Sequence, residues 1–595
     1  MMRGPRVAAR ALFVLVAIAT GGSRLAAQQR DTLPPPDTTP AARDTVLPPP
    51  TLVPWPGSTS AGWADAVWTW DRDDLARDGA FTILDLLRSV PGVTTFRAGV
   101  FLQPEAATFM GGGAGRTEIE IDGFALDPLT AATLDLSTLE LANLEHVRVE
   151  RGVGRLRILL RTVAPEDARP YSRIEAGVGE PRANMFRGLL LAPRVVAGPL
   201  GFAIERIEAQ GSGRLRPADN FATWVKWGLL RPDRGLQLEW RRNSLSREPE
   251  SAVPLELQRR DFVIRARNRF PAGVVGEAWA AWSTESTTPL DPALPDSLVT
   301  TLERTSRQVG LRAAVERDRF GADAGLRLRS EDALANWQTD LGARFSPLGR
   351  VQLSARLSAA DWRHGHRTLE HGLAAAVRAA TGVRLIGEFS TGETGAPVRG
   401  DSLRTTPAFS NRTAWRAGLE IRRFGIDAGA AALHVETDSV AAFGLPGDSA
   451  AVLPGGAVDG WEASARVPFL RDWFAASVSY STWLSGTRWA WMPASSLRAA
   501  LDLHAVPLSS GNLEITGRFE ILQRGAVSVP SPFPGEPPLI LPARTQANAY
   551  LQIRIIEVRL FIRFDDIQAG DVADLPDLGI RGPRLVYGVK WDFWN

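Results

Sequence analysis

The segment Trp362-Arg363-His364-Gly365-His366-Arg367, with His371 a little further on, sets two imidazoles two residues apart among guanidinium groups. Imidazole nitrogens are good ligands for zinc, copper, nickel and iron, so the stretch can present nitrogen donors to a metal or a metal chelate. An ordinary polar loop has the same composition. Arg488-Trp489-Ala490-Trp491-Met492, in the loop after Trp483, places two indoles beside a cation. That set suits stacking on an aromatic or sugar-like ligand, and a membrane-interface girdle uses tryptophan pairs equally well. Trp362, His364, His366, Arg488, Trp489 and Trp491 are therefore the candidate ligand-binding residues. Asp571, Asp574 and Asp577 are oxygen-rich, but the loop glycine and bidentate acid of a calcium loop are missing at the right offsets, so no metal site is assigned.

Nucleophilic and phosphate chemistry find no support. Gly111-Gly112-Gly113-Ala114-Gly115 runs into a strand rather than a helix, which makes it a loop and not a phosphate cradle. No zinc-protease helix and no Gly-x-Ser-x-Gly elbow occurs in its required context. The expectation is a protein that is not an enzyme and carries no cofactor.

The elements that would position these residues follow from composition and pattern. The chain has 595 residues, 44% of them hydrophobic, and a mean hydropathy of −0.09. That is too polar for a bundle of membrane helices, and no stretch after residue 20 approaches the roughly 18 to 20 apolar residues such a helix needs. Residues 1–27 read as a signal peptide: Arg3, Arg6 and Arg10 precede the short apolar run Ala11–Ala19, and Leu25-Ala26-Ala27 before Gln28 is a cleavage site. Cleavage removes four arginines (the fourth is Arg24) and no acid, turning the formal charge of +2 into −2, so the basic pI implies no nucleic-acid partner. There is no cysteine, hence no disulfide and no thiolate metal site.

Residues 28–62 are rich in Pro, Thr and Asp and read as an extended tether with a loose repeat, Arg30-Asp31-Thr32-Leu33-Pro34 and Arg43-Asp44-Thr45-Val46-Leu47-Pro48. A segment captured by strand addition and an inert linker both fit. Residues 63–164 change to a small α/β unit. Ile83, Leu84, Leu86 and Leu87 have helical spacing and stop at Val90-Pro91-Gly92; Thr117–Ile121 alternates into an Asp122-Gly123 turn; Val147–Gly152 reads as a further strand.

These pieces carry a family resemblance. Asp85-Leu86-Leu87-Arg88-Ser89-Val90-Pro91-Gly92-Val93 resembles the opening signature of the plug domain of TonB-dependent receptors. Glu118 to Gly123 is similar to that family's strand ending in Asp-Gly, and Leu144 to Gly152, with Glu150-Arg151-Gly152, resembles its strand leading to Arg-Gly. Two departures stand out: Met110 occupies a position where the family commonly has arginine, and Val153–Thr162 is compressed relative to the family's glycine-rich continuation.

Residues 165–595 read as a transmembrane β-barrel. From Tyr171 on, segments of about ten residues alternate apolar and polar, as Leu513, Ile515, Gly517, Phe519 and Ile521 do against Glu514, Thr516, Arg518 and Glu520. Long links such as Ser244–Arg260, Ser283–Ser306, Gly392–Asn411 and Val435–Gly460 alternate with tight ones, which fits long outer loops and short periplasmic turns. The fold class is thus a membrane all-β barrel of about 22 antiparallel strands with a small N-terminal α/β plug, both termini periplasmic. Among the 19 tryptophans, Trp224, Trp227, Trp240, Trp279 and Trp282 fit interfacial girdles. Lumen arginines such as Arg241, Arg344, Arg518 and Arg563 are expected to pair with lumen and plug carboxylates.

The resemblance implies an outer-membrane importer of a scarce solute (siderophore, cobalamin or glycan-like, a small molecule or metal chelate), driven by the TonB complex pulling on the tether, with Asp44, Thr45, Val46 and Leu47 as the captured strand. Outer-membrane lipid and the barrel-assembly machinery are the other expected partners. The competing expectation is a passive or structural barrel with a reduced plug and no energy coupling.

Overall fold

The computed structural model describes Trp55, residues 67–97 and residues 101–594, apart from 181, 197, 210–216, 249–254, 290–300, 400–404, 445–451, 471–472, 487–488, 532–536, 569–570, 575–578 and 582–583. The signal-peptide segment and the strand candidate Asp44–Leu47 lie outside the described residues.

The plug begins with strand β1 (Val67–Trp70) and helix α1 (Arg72–Arg77), where Asp71 and Asp74 form a reciprocal capping box. Helix α2 (Ile83–Leu87) is capped by Asp85, whose carboxylate accepts from the Phe81 and Thr82 backbone N–H groups at 2.9 and 3.4 Å. It is short because Pro91-Gly92 follows, with Gly92 at φ +72°, but Ile83, Leu84, Leu86 and Leu87 are all buried. They form one core with Val147, Val149, Leu156 and Ile158. The remaining strands are β2 (Val93–Arg97), β3 (Glu105–Phe109), β4 (Thr117–Ile121), β5 (Phe124–Ala125), β6 (Leu144–Gly152) and β7 (Arg155–Thr162). The main sheet has the order β1-β6-β7-β4-β5, with β4 parallel to β7 and the other pairs antiparallel. The compressed stretch after Gly152 is therefore a central strand.

From Tyr171 the chain forms a closed barrel of 22 strands. Closure comes from the last strand, Arg584–Trp594, pairing antiparallel with the first, Tyr171–Gly179. A closed ladder leaves no edge for lipid to meet, which is why strands can cross where water is absent. Burial alternates as the sequence does: along Ala183–Val195, Phe186 and Leu190 are exposed on the outside while Met185, Leu189 and Leu191 are buried inside. No helix among the described residues is long and apolar enough to cross a membrane.

Two expectations are corrected. The long links are shorter than the loss of alternation suggests, because the strands continue past the lipid: Val383–Arg399 pairs with Thr405–Arg423 along its whole length. There Ala396 and Val398 pack on the plug's Ala114 and Ala132 beyond the lipid-facing part of the strand, so the alternation fades while the hydrogen bonding persists. Trp224 and Trp279 are not girdle residues. They face the lumen, buried, with Trp224 Nε1 donating to Glu239 at 2.8 Å and Trp279 Nε1 to Gln308 at 3.2 Å. Each shares the inward parity of the ionic residue two places away, Lys226 or Glu277. Trp240 and Trp282 do face outward.

Candidate functional site in the plugged lumen

The plug is tied to the wall by ion pairs around the lumen. Lys226 Nζ lies 2.9 Å from Asp122, Arg327 lies 2.7 Å from Glu118, and Arg329 lies 2.7 Å from Asp127. On the other side Arg518 reaches Asp78 at 3.0 Å and Arg563 reaches Asp85 at 2.8 Å. Lumen arginines thus pair with plug carboxylates; Arg241 pairs with its own strand's Glu239, and Arg344 with Glu316 at 2.5 Å.

The residues of the plug signature sit at these joints. Burial alone would raise the Asp85 carboxyl, but Arg563, Arg97 and Arg88 overrule it and hold the group well below the usual range. Asp122 is likewise lowered against its burial by Lys226 and Arg265. Arg151 donates to Pro91 O at 2.6 Å while pairing with Glu462 of the wall. A side chain at Gly92 would meet both partners of that pair, at 3.0 and 3.1 Å, so the bare backbone lets the pair close over the turn. Gly123 serves a similar approach, since a Cβ there would lie 2.2 Å from the Arg312 guanidinium carbon. Glu150 stays inside the plug, bonded to Arg148 and Arg157.

The end of the lumen nearest the long links is covered. Hairpins Val527–Val529/Leu539–Leu541 and Asp571–Ala573/Gly579–Arg581 stand outside the barrel ladder. Phe96 of the plug packs edge-on against Trp491 at 5.1 Å, with Phe443 beside both, and Val527, Val529 and Leu541 complete the cluster. Asp574 accepts from the Arg97 backbone N–H at 3.0 Å and pairs with Arg524 and Arg544 at 2.7 and 2.6 Å.

This cover changes the reading of several candidates. Trp491 is buried within it and Trp489 in the main plug core, neither presented to solvent or lipid; Arg488 lies outside the described residues. Trp362 is buried and donates to Thr368 at 3.1 Å. His366 bonds Glu393 at 2.9 Å and stacks on Phe409. His371 is exposed on the outward face of its strand, and the side chain of His364 is outside the described residues. The described histidines therefore do not converge, and no metal-holding cluster occurs among the described residues. Asp574 pairs with Arg524 and Arg544.

Cavities lie between plug and wall. One of about 160 Å³ is lined by Arg116, Glu118, Leu134, Arg327, Trp362 and Glu370. Another, about 480 Å³, runs along the helices past Asp74, Arg77, Asp78, Asp85, Arg518 and Arg563. Sequence reading missed Phe96, Arg97, Phe443 and Glu462. Lys226 had a visible signal, being one of only two lysines in the chain.

A plug of mixed α/β structure inside a closed barrel of 22 strands defines a plugged outer-membrane barrel. Residues 63–158 match the family model TonB-dependent Receptor Plug Domain. The plug thus matches the plug domain of TonB-dependent receptors, and it sits in a closed barrel of 22 strands. No curated protein sequence matches the chain. Similar solved structures include the siderophore receptor PirA from Acinetobacter baumannii, with TM-score 0.69, 10% identity, and 90% of this chain and 98% of that chain covered. A variant of the ferric enterobactin receptor PfeA from Pseudomonas aeruginosa gives 0.72 at 12% identity, covering 90% and 100%. The FrpB iron transporter from Neisseria meningitidis gives 0.69 at 12%, also covering 90% and 100%.

Proposed function

We propose that the protein is an outer-membrane receptor that imports a scarce solute and whose plug moves only when work is delivered to it. The ion pairs between plug and wall support this most directly. Several such pairs must part together before a solute can pass, and a charge left buried without its partner is strongly unfavourable. The outer membrane holds no ATP, so the reading assigns the work to the TonB complex pulling on the tether, with Asp44–Leu47 as its strand. It divides the chain into signal peptide 1–27, tether 28–62, plug 63–164 and barrel 165–595. Short turns and both termini face the periplasm, and the long links face outward. Outer-membrane lipid and the barrel-assembly machinery are the remaining partners, and the protein is a receptor and not an enzyme.

The solute class is a ferric chelate with anionic aromatic donors. The fold resembles receptors described as ferric enterobactin receptors, one of them in complex with enterobactin. The cover of this chain buries Phe96, Phe443 and Trp491 near Arg524 and Arg544, which pair with Asp574, so this combination of rings and cations meets such a chelate only once the cover opens. Uptake of radiolabelled ferric enterobactin into cells carrying the protein as their sole receptor tests the reading. Deleting Arg30–Leu52, or dissipating the proton gradient, should abolish uptake and leave surface binding intact. Uptake that survives both treatments rejects energy coupling and leaves a passive plugged barrel; absent binding rejects the chelate class.

A further inference from the structure

The outward face of the wall carries a cationic cluster that solute import does not use. Strands Ala218–Leu230, Arg234–Arg247, Leu255–Arg269, Val275–Pro289 and Leu302–Arg317 lie side by side. Their register places Val225, Trp240, Phe262, Trp282 and Arg307 in one outward row. The next row toward the long links is Thr223, Arg242, Arg260, Thr284 and Thr305, and the row on the other side is the apolar Trp227, Leu238, Ile264, Ala280 and Val309. Trp240, Phe262 and Trp282 are 36%, 38% and 43% exposed, and the last two rings lie 5.9 Å apart. An aromatic row above an apolar band marks the level where hydrocarbon gives way to headgroups.

At that level Arg242 stands directly opposite Arg260. Like charges opposite each other destabilise a ladder, yet the side chains of Arg242, Arg260 and Arg307 are exposed and have no ionic or hydrogen-bonded partner among the described residues. Other exposed arginines near the same rim are neutralised: Arg206 by Asp219 at 2.9 Å and Arg367 by Asp361 at 3.2 Å. Elsewhere on the rim the corresponding positions are acidic, with Asp459 beside His434 and Trp415, and Glu436 one row further. The three open guanidinium groups span three strand intervals, roughly 15 Å, and the exposed Glu303 lies one row nearer the long links. The hydroxyls of Thr284 and Thr305, 3.4 Å apart, border Arg260.

We propose that Arg242, Arg260 and Arg307, with Thr284 and Thr305, bind the phosphorylated headgroup of an outer-leaflet glycolipid whose acyl chains lie over Trp240, Phe262 and Trp282. Guanidinium groups recognise phosphate bidentately, and an anion between Arg242 and Arg260 turns their repulsion into a shared contact. The proposal rests on the orientation given above, with the long links outward.

The test uses full-length protein extracted in nonionic detergent, stripped of lipid, and titrated with a phosphorylated glycolipid, its dephosphorylated form and phosphatidylglycerol, with bound lipid counted by native mass spectrometry. The wild type should prefer the phosphorylated glycolipid, and the triple variant Arg242→Gln/Arg260→Gln/Arg307→Gln should lose affinity on the order of a hundredfold. Arg206→Gln, whose arginine is already paired, should bind as the wild type does. Arg260→Gln alone should bind more weakly and yet unfold at a higher temperature in lipid-free detergent, because it removes the opposed charge. Equal binding of the dephosphorylated form, a triple variant that binds normally, or preference for phosphatidylglycerol overturns the proposal. Surface labelling of a cysteine at Gly447 on whole cells checks the orientation separately, since a failure there leaves the detergent titration unaffected.

Discussion

Arg151 of the plug and Glu462 of the wall, 311 residues apart, form a buried two-bond ion pair, Nη1 to Oε2 at 2.6 Å and Nη2 to Oε1 at 2.8 Å. Arg416 donates to the same carboxylate at 2.7 Å, so Glu462 joins plug and wall at one point. Glu462→Gln should weaken plug docking by about 3 kcal/mol, since two guanidinium groups lose their buried counter-charge. Single-channel recording in planar bilayers should then show openings at a denaturant concentration where the wild type stays closed. A variant as tight as the wild type would mean the pair does not secure the plug.

Trp55 is connected to the plug through the wall. The Trp55 ring lies 4.0 Å from the Arg312 guanidinium, and Arg312 pairs with Glu277 and donates to Asp122 O at 3.4 Å. Trp55→Ala should remove about 1 kcal/mol of docking. Limited proteolysis before Val67 should speed up severalfold with the barrel bands unchanged.

How much of this was legible depends on what each pattern reports. Alternation reports lipid on one side, so the membrane part of strands such as Leu513–Arg524 could be read directly. It is silent where strands extend beyond lipid, as at Glu393–Arg399 with Thr405–Asn411. Residue type misled at Trp224 and Trp279, although their parity with Lys226 and Glu277 carried the right answer. The cover was not legible, because the Phe96–Trp491 contact joins elements nearly 400 residues apart and no local period encodes it. The plug signature picked out Asp85, Gly92, Asp122 and Arg151, whose wall partners became visible only in the folded chain.

Orientation can be checked with single cysteines, since the chain has none of its own. Gly349 and Gly425 sit at tight turns between strands, and Gly447 and Pro532 lie in long links. On whole cells an impermeant thiol reagent should label the last two and spare the first two. The reverse pattern would invert the barrel.

Glu140 supplies a pH dependence. Burial, with Glu205 nearby and only partly offset by Arg241, raises its pKa to about 7. The folded plug therefore holds this proton in a range where the unfolded chain, near 4.5, has released it. Its contribution is most favourable below the unfolded value and is lost as pH rises through the folded one. Glu140→Gln should leave plug stability unchanged at about pH 4 and raise it by on the order of 1 to 2 kcal/mol at about pH 8. Unfolding curves that stay parallel across that range would remove Glu140 as the cause.

The outer cover should respond to acid in the opposite sense. Burial would raise the Asp574 carboxyl, but Arg544, Arg524 and Arg88 lower it below its usual value, 3.8. A lowered carboxyl contributes stability that is present above the unfolded value and is lost as pH falls through the folded one. The hairpin Asp571–Ala573/Gly579–Arg581 should therefore stay closed at neutral pH and loosen only in strong acid. Asp574→Asn keeps the shape and removes the charge that Arg524 and Arg544 share. That should cost about 3 kcal/mol and open the cover at neutral pH. Hydrogen exchange should then quicken at Val527–Val529 and at Arg97, whose N–H is bonded to Asp574, while the barrel strands stay protected. Ferric enterobactin should also bind and leave faster, since opening no longer limits access. Unchanged exchange at Arg97 in this variant would show that the aromatic contacts of Phe96 and Trp491 hold the cover without Asp574.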